Sequence, residues 1–523
     1  RRIKDHAFTL LGGFELNGYT GETFSMQGQG FDIQSINAVD NIATAKILSQ
    51  IPTTNKYNYN RVSQFGRVNY SWKDRYLLTA TLRRDGSSKF GQDHKYAWFP
   101  SAALAWRLSN ESFMLRQNVF SDIKLRGSFG VTGNDRIPPY QSLATTANTF
   151  YSGSSGSATL GISPNSFANP GLKWETTYQY DGGVDVTLLK DRVNFTADLY
   201  LKQTKDLLIQ ADVSGQTGYL KQWQNLGQVD NKGLELALNT INLRLRNFTW
   251  SSNFNISFNR NKVRSLGSVG YIPVNITGST ISAVGRVIKG QPIGTAYGYV
   301  FDGIYQLSDF DLVGGSYVLK KGVTSILGRT AKPGDFKYKD LNGDGVVDNT
   351  HDYKIISNSN PLHYGGFTNN FQYKNFELNV LLQWSYGNDI LNIGRYRYEA
   401  GGGYFANLTE DYWNNAWTPG NPTNKYAAVM GQGKTDISSY YVEDGSYLRL
   451  KNVTLSYTLN PSFLKRAGIA GCRFYVTGEN LYTWTKYSGF DPEIASYSPL
   501  LPGIDNISYP RARTYTLGLN VKF

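Results

Sequence analysis

From Val62 onward the chain repeats one pattern, apolar side chains at every second position with polar ones between them. Phe248, Trp250, Phe254, Ile256 and Phe258 alternate with Thr249, Ser251, Asn253, Asn255, Ser257 and Asn259. A period of two predicts a strand with two unlike faces. The same alternation predicts strands at Val62–Trp72, Tyr76–Arg83, Ala97–Leu108, Ile123–Val131, Trp174–Leu189 and Val193–Lys202. It recurs at Leu234–Asn239, Phe248–Asn259, Phe367–Tyr373, Phe376–Trp384, Tyr447–Leu459, Arg473–Trp484 and Arg511–Phe523. Short polar pairs, Lys73-Asp74, Lys190-Asp191 and Lys374-Asn375, read as hairpin turns between neighbours. The count is about fifteen strands. Trp174–Leu189 would extend about 50 Å, beyond the usual globular strand.

Between these strands lie longer, less regular stretches. Residues 20–44 are rich in Gln, Asn and Gly and read as a long loop, with a short helix near Ala38–Leu48. Residues 132–170 read as an external loop, and 261–360 as a region of short strands and turns. Residues 401–440 form another long loop, with one short helix at Asn407–Trp417.

The polar faces decide between a soluble sandwich and a membrane barrel. Asn and Ser side chains lined up in a dry core would each need a partner. Against a water-filled or plugged lumen they are inexpensive. No run of about 18 apolar residues exists, so helical spans are excluded, but barrel strands are not. The fold class expected is therefore all-β, a transmembrane β-barrel of antiparallel strands with long extracellular loops. Tyr70, Trp72, Trp98, Trp106, Trp174, Trp250, Trp384 and Trp484 fall at strand ends, where aromatic rings settle at a membrane interface. The formal charge is +13, but Lys and Arg are scattered and form no dense basic helix. That argues against nucleic acid and for a basic lumen or an anionic lipid surface. Cys472 is the only cysteine, so no disulfide forms within the chain. Arg1 follows no leader, and an outer-membrane protein needs an export signal. The sequence is expected to be the later part of a longer precursor.

Candidate chemistry is sparse. Asp340, Asn342, Asp344 and Asp348 stand at positions one, three, five and nine of a loop with Gly345 at six. Val346 at seven would offer its carbonyl, so the segment matches the first part of a calcium loop. His351 holds position twelve, where a bidentate acid is wanted, and Asp352 lies one further on. The bland reading is an Asx-rich hairpin turn. Any calcium would be structural. The four histidines, His6, His94, His351 and His363, are dispersed, and no nucleophile elbow, nucleotide loop or C-x-x-C motif occurs. Arg83–Phe90 is polar enough to hint at phosphate binding, yet no helix follows it. No enzyme is expected, and no catalytic residue or cofactor.

Several segments resemble one family. They are FGRVNYSWKDRYLLTATLRRDGSSKF at Phe65–Phe90, FPSAALAW at Phe99–Trp106, LRGSFGVTGN at Leu125–Asn134 and LKWETT at Leu172–Thr177. DGSYLRLKNVTLSY at Asp444–Tyr457 and YPRART at Tyr509–Thr514 complete the set. Together they resemble the C-terminal barrel portion of SusC/RagA-type TonB-dependent outer-membrane transporters of Bacteroidota. The resemblance covers essentially all of residues 1–523. It implies a barrel of 22 strands, of which about 15 are present here, with a plug inside. It also implies that the signal, the TonB-contacting segment, the plug and the first barrel strands lie outside this sequence. The implied function is energy-coupled import of glycans or oligopeptides across the outer membrane. The implied partners are a SusD-like surface lipoprotein, TonB through the missing region, outer-membrane lipid and an oligosaccharide or peptide substrate. A dimer of transporter–lipoprotein pairs belongs to the same expectation. Tyr140, Tyr151, Tyr404, Phe405 and Trp417 are aromatics on the loops that would meet substrate or lid. A passive porin and a secreted carbohydrate-binding all-β protein are the alternatives.

Overall fold

A computed structural model describes residues 2–31, 42–152, 158–267, 269–274, 284–399, 407–459, 468–494 and 498–523. Its main sheet has fifteen strands. They are β1 (Arg2–Ile3), β2 (His6–Gln29), β3 (Ile47–Trp72), β4 (Tyr76–Ser87), β5 (Tyr96–Arg107), β6 (Phe120–Asn134), β7 (Glu175–Leu188) and β8 (Val193–Lys205). β9 (Gln228–Arg244), β10 (Phe248–Ser265), β11 (His363–Tyr373), β12 (Phe376–Tyr386), β13 (Tyr447–Thr458), β14 (Gly471–Thr485) and β15 (Thr514–Lys522) follow. Each strand pairs with the next in chain order, and the pairings with described registers are antiparallel. A sheet in which every neighbour is also the sequence neighbour needs only hairpin connections.

The tight connections are where the sequence put them. Lys73 and Asp74 both have positive φ (52° and 50°), as do Lys190 and Asp191 (56° and 66°). Left-handed residues in a tight hairpin match the right-handed twist of its strands. Opposite these turns the connections are long, and they carry nearly all the remaining structure.

Contact density divides the chain into two units. Residues 1–105, 127–180 and 203–228 form one, and residues 106–126, 181–202 and 229–523 the other. In the first, Phe90, Phe99, Val131, Ile137, Leu172 and Trp174 build a buried core. The chain passes so closely here that a Cβ on Gly91 would lie 1.7 Å from the Pro170 carbonyl oxygen. In the second unit, the connections between β10 and β11, β12 and β13, and β14 and β15 pack into one loop body. It holds a four-stranded sheet of Tyr271–Val274, Gly285–Ile288, Thr295–Tyr299 and Tyr353–Asn358. A three-stranded sheet joins Asp389–Asn392 to Val442–Asp444 and Ile504–Asp505. Backbone bonds from Tyr299 to Ile437 (2.9 Å) and from Gly294 to Leu500 (3.1 Å) tie the connections together.

Several expectations are corrected. The polar stretch 20–44 is not one long loop, because β2 runs to Gln29 and pairs residue by residue with β3, which starts at Ile47 rather than Val62. Alternation is weak there, and aromatic rings lying over glycines stabilise the pairing instead. A Cβ on Gly21 would lie 2.5 Å from the Tyr57 ring. Of the helix expected near Ala38–Leu48, residues 38–41 lie outside the described residues, Ile42–Thr44 form one 3-10 turn, and Ile47 already begins β3. Residues 132–170 are not wholly loop, since Thr145–Ser152 pairs with Ala158–Ser166. The helix expected at Asn407–Trp417 is Glu410–Asn415, started by the Thr409 side chain accepting from the Tyr412 amide. A helix at Gly394–Glu399 was not anticipated.

Candidate functional site

The strands of the second unit carry two opposed rows of side chains. Trp250, Phe371, Leu378, Leu455, Val476 and Leu517 are directly opposite one another, each paired with the next across β10 to β15. One residue along, Ser251, Asn370, Asn379, Thr454, Thr477 and Thr516 make the matching row. A period of two sends these rows to opposite faces. The first face is apolar yet open, with Leu517 81% exposed and Leu455 48%. Trp250, Phe371 and Leu378 are half-buried, but the stretch from Leu455 to Leu517 is open, and an open apolar surface needs a lipid or protein partner. The second face is polar and satisfies itself. Asn379 donates to Asn370 (2.5 Å), and the Thr454 and Thr477 hydroxyls are 2.9 Å apart. Two polar residues on the apolar face, Ser252 and Asn369, also bond each other (2.7 Å), and the Trp250 indole donates to Asn369 (3.0 Å).

Beside the short turns runs a third row, Phe248, Tyr373, Phe376, Tyr457, Phe474 and Leu519. Five aromatics in line at one depth form the girdle expected where a membrane meets water. The individual aromatics named from sequence divide. Trp98, Trp106 and Trp484 are exposed. Trp174 is not an interface residue: it lies in the buried core, its indole donating to the Lys95 carbonyl (2.9 Å).

One cluster of charges on the polar face is paired. Arg126 on β6 meets Asp198 (2.5 Å), Asp185 (3.3 Å) and Asp181 (3.4 Å), and Lys124 meets Asp185 (2.8 Å). A cleft of ≈ 400 Å³ has a mixed lining, with Asn255, Gln383 and Ser385 beside Tyr364, Leu381, Trp384 and Tyr447. The Gly366 amide donates to Asn255 Oδ1 (3.1 Å) at its edge. This size suits a small ligand or one unit of an oligomer.

Charged residues in and beside the family-like motifs tie the wall together. Asp135 is buried and takes Arg61 (2.8 and 2.5 Å) and the Ser87 hydroxyl (2.9 Å), while Lys89 donates to its carbonyl (3.3 Å). The Arg83–Phe90 segment thus fastens a strand end, not a phosphate. Arg449 on β13 is 1% exposed. It pairs with Asp491 and with Glu493 (2.8 Å), and Arg511 also reaches Glu493 (3.0 Å). Arg449 and Asp135 bind side chains 42 to 74 positions away, so no local spacing announced them.

Of the loop aromatics, Tyr151 is exposed, and Tyr140 is exposed with its hydroxyl bonded at Asn58. Trp417 is buried, its indole donating to Gln306 (2.8 Å), so it packs the loop body. Tyr404 and Phe405 lie outside the described residues. Buried tyrosines add to this body. Tyr338 donates to the Gly433 carbonyl (2.7 Å) and Tyr441 to the Lys434 carbonyl (2.6 Å). Burial pushes both hydroxyls well above the usual tyrosine range, so they act as donors.

The calcium-like loop is compact. Asp340 accepts from the Gly345 (2.7 Å) and Gly343 (2.6 Å) amides, which hold its carboxyl below the usual range. Asp344 accepts from the Val346 amide (2.9 Å) and from Asn342 (2.8 Å). Asp348 accepts from the His351 ring (3.0 Å), which lowers the carboxyl and raises the imidazole. Asp352 is buried and binds the Leu341 (2.6 Å) and Asp348 (2.8 Å) amides. Among the described residues no three His, Cys, Asp or Glu side chains gather as a metal cluster. The donor set is all oxygen, which suits a hard cation.

A meander of long two-faced strands with tight turns at one end defines a membrane-barrel type of sheet. Residues 3–333 match the family model "TonB dependent receptor-like, beta-barrel", and the chain belongs to that family, within it to the SusC/RagA type. The TonB-dependent receptor P3 of Formosa agariphila is 37% identical, covering 99% of this chain and 51% of that relative. The TonB-dependent receptor SusC of Bacteroides thetaiotaomicron is 30% identical over 95% of this chain and 46% of that relative. A solved RagAB peptide transporter superposes with a TM-score of 0.80 at 25% identity, covering 100% of this chain and 54% of its own. The chain spans about half the length of the curated relatives it matches. The family comprises outer-membrane receptors and transporters, not enzymes.

Proposed function

We propose that this chain is the wall of an outer-membrane transporter that imports nutrient oligomers by TonB coupling. The observation that carries this reading is the pair of opposed rows. An exposed apolar row suits lipid, and the polar row behind it suits a hydrated or plugged passage. The sheet would be part of a closed barrel of more strands, since the outer edge of β15 has no sheet neighbour among the described residues. The short turns would face the periplasm and the loop body the exterior. A plug and TonB-contacting segment would be supplied from sequence outside these residues.

The loop body would receive a SusD-like lipoprotein carrying a glycan or oligopeptide, within a dimer of such pairs. The cleft, of mixed lining, offers amides and aromatic rings to an uncharged ring or side chain. Asp340, Asn342, Asp344, Asp348 and the Val346 carbonyl would hold a structural calcium ion that stiffens the loop body. Calorimetric titration with calcium tests that role, and Asp340→Asn should abolish the heat. No heat with the native loop would leave it an Asx turn.

Uptake of labelled oligosaccharides and oligopeptides by cells carrying the full-length receptor tests the main reading. Import should need the receptor, the lipoprotein and TonB, and should stop on uncoupling. Uptake that survives uncoupling would mark a passive porin instead.

A further inference from the structure

The short turns of the second unit are chained together. The Leu189 amide donates to the Val119 carbonyl (3.1 Å), Ile241 to Arg192 (2.7 Å), Lys374 to Asn247 (2.9 Å) and Thr458 to Asn375 (2.9 Å). Successive turns therefore form one continuous rim. Arg192 helps to hold it, its guanidinium donating to the carbonyls of Ile241 (3.0 Å) and Asn242 (2.8 Å).

Along this rim exposed aliphatic residues alternate with exposed cations. The pairs are Leu115-Arg116, Leu189-Lys190, Leu243-Arg244 and Leu245-Arg246, with Lys374 at the next turn. Lys190, Arg244, Arg246 and Lys374 have no carboxylate partner among the described residues. Acids on the same rim are few. Asp191 is exposed, Glu111 is buried against the Trp106 indole (3.1 Å), and Asp122 pairs with Arg107 (3.6 Å). Immediately inward lies the aromatic row, and the Lys374 ammonium sits 5.5 Å from the Tyr373 ring centroid.

This layering has a specific chemistry. A solvated rim would gain nothing from exposed leucines. A rim facing only apolar chains would not carry unpaired guanidinium groups. Aliphatic side chains that dip into acyl chains while cations reach outward fit the boundary of a lipid leaflet. Unpaired cations there attract anionic headgroups. We infer that the short-turn rim of this unit is a binding surface for anionic phospholipid headgroups, retaining such lipids around the wall. The inference rests on the membrane reading above and assigns the lipid class.

The test uses the full chain in nanodiscs of equimolar phosphatidylglycerol and phosphatidylcholine, with the retained lipid shell quantified by mass spectrometry. Phosphatidylglycerol should be enriched over its bulk fraction. Each of Lys190→Gln, Arg244→Gln, Arg246→Gln and Lys374→Gln should lower that preference by up to about fivefold. The quadruple variant should lose it while keeping its protease resistance and total lipid. Lys321→Gln, on an exposed loop residue of the same unit, should change nothing. Enrichment that survives the quadruple variant, or a shell matching the bulk, overturns the inference alone. Failure of the native chain to hold any lipid shell overturns the membrane reading with it.

Discussion

An arginine scan along β13 measures what each face of the wall touches. Tyr457 lies in the aromatic row, Leu455 in the apolar row and Val453 one repeat deeper, opposite Val380 and Gly478. Leu455 is about 7 Å from Tyr457 along the strand and Val453 about 14 Å. At a tilt near 45° these become depths of about 5 Å and 10 Å below the girdle, against a half-thickness of about 12 Å for the apolar band. Val453→Arg therefore reaches nearly the midplane and should cost about 2–4 kcal/mol, and Leu455→Arg about 1–2 kcal/mol. Thr454→Arg points to the other face. It should cost only about 1 kcal/mol, the hydroxyl pair with Thr477. Urea titrations of folding into phosphatidylcholine vesicles read all three. Equal costs for Thr454 and Val453, or a Leu455 cost above that of Val453, would refute the assignment of faces.

Other expectations concern the regions beyond the wall. Gly91→Ala sets a Cβ against the Pro170 carbonyl and should cost about 1–3 kcal/mol, seen as earlier proteolysis of the first unit. Asp135→Ala strands Arg61 and Ser87, but Arg61 is partly exposed, so the loss should be about 1–3 kcal/mol. Lys434 is buried with its ammonium donating to the Val429 carbonyl (2.6 Å), and burial pulls it down to about 8. Between there and the ordinary lysine value the opened loop binds a proton that the closed loop does not. Closure should thus strengthen as pH rises through that window, and hydrogen exchange of residues 425–441 at pH 8 and 10, corrected for intrinsic rates, should show slower opening at the higher pH. The Asp348–His351 bridge behaves differently. Its carboxyl is lowered and its imidazole raised, so it should be strongest between the ordinary carboxylate and imidazole values and fade on either side, as histidine proton shifts would report.

The wall was legible because period-two alternation is local, and a strand's face assignment follows from its own residues. Trp250, Leu378 and Leu517 could be assigned before their registers were known. Residues 20–29 were missed because their faces are alike in polarity, and pairing with β3 rather than alternation makes them a strand. Trp174 misled for a related reason. Its spacing fits the strand that follows, but Phe90 and Phe99 arrive from distant sequence to bury it. The Arg449 and Asp135 hubs were invisible on the same grounds. The loop body was seen only as broken strands, since its short pairings join three separate connections. The calcium-like spacing was visible at once, yet the side-chain bonds it makes serve a turn equally well.

The central claim is that one face of the sheet meets lipid and the other water. Spin labels at Leu378, Leu455, Val476 and Leu517, and at Asn379, Thr454, Thr477 and Thr516, test it most directly in vesicles, with Cys472 first replaced. Dissolved oxygen should relax the first set preferentially and a water-soluble nickel chelate the second, alternating residue by residue along each strand. Equal access of the chelate to both sets would contradict it.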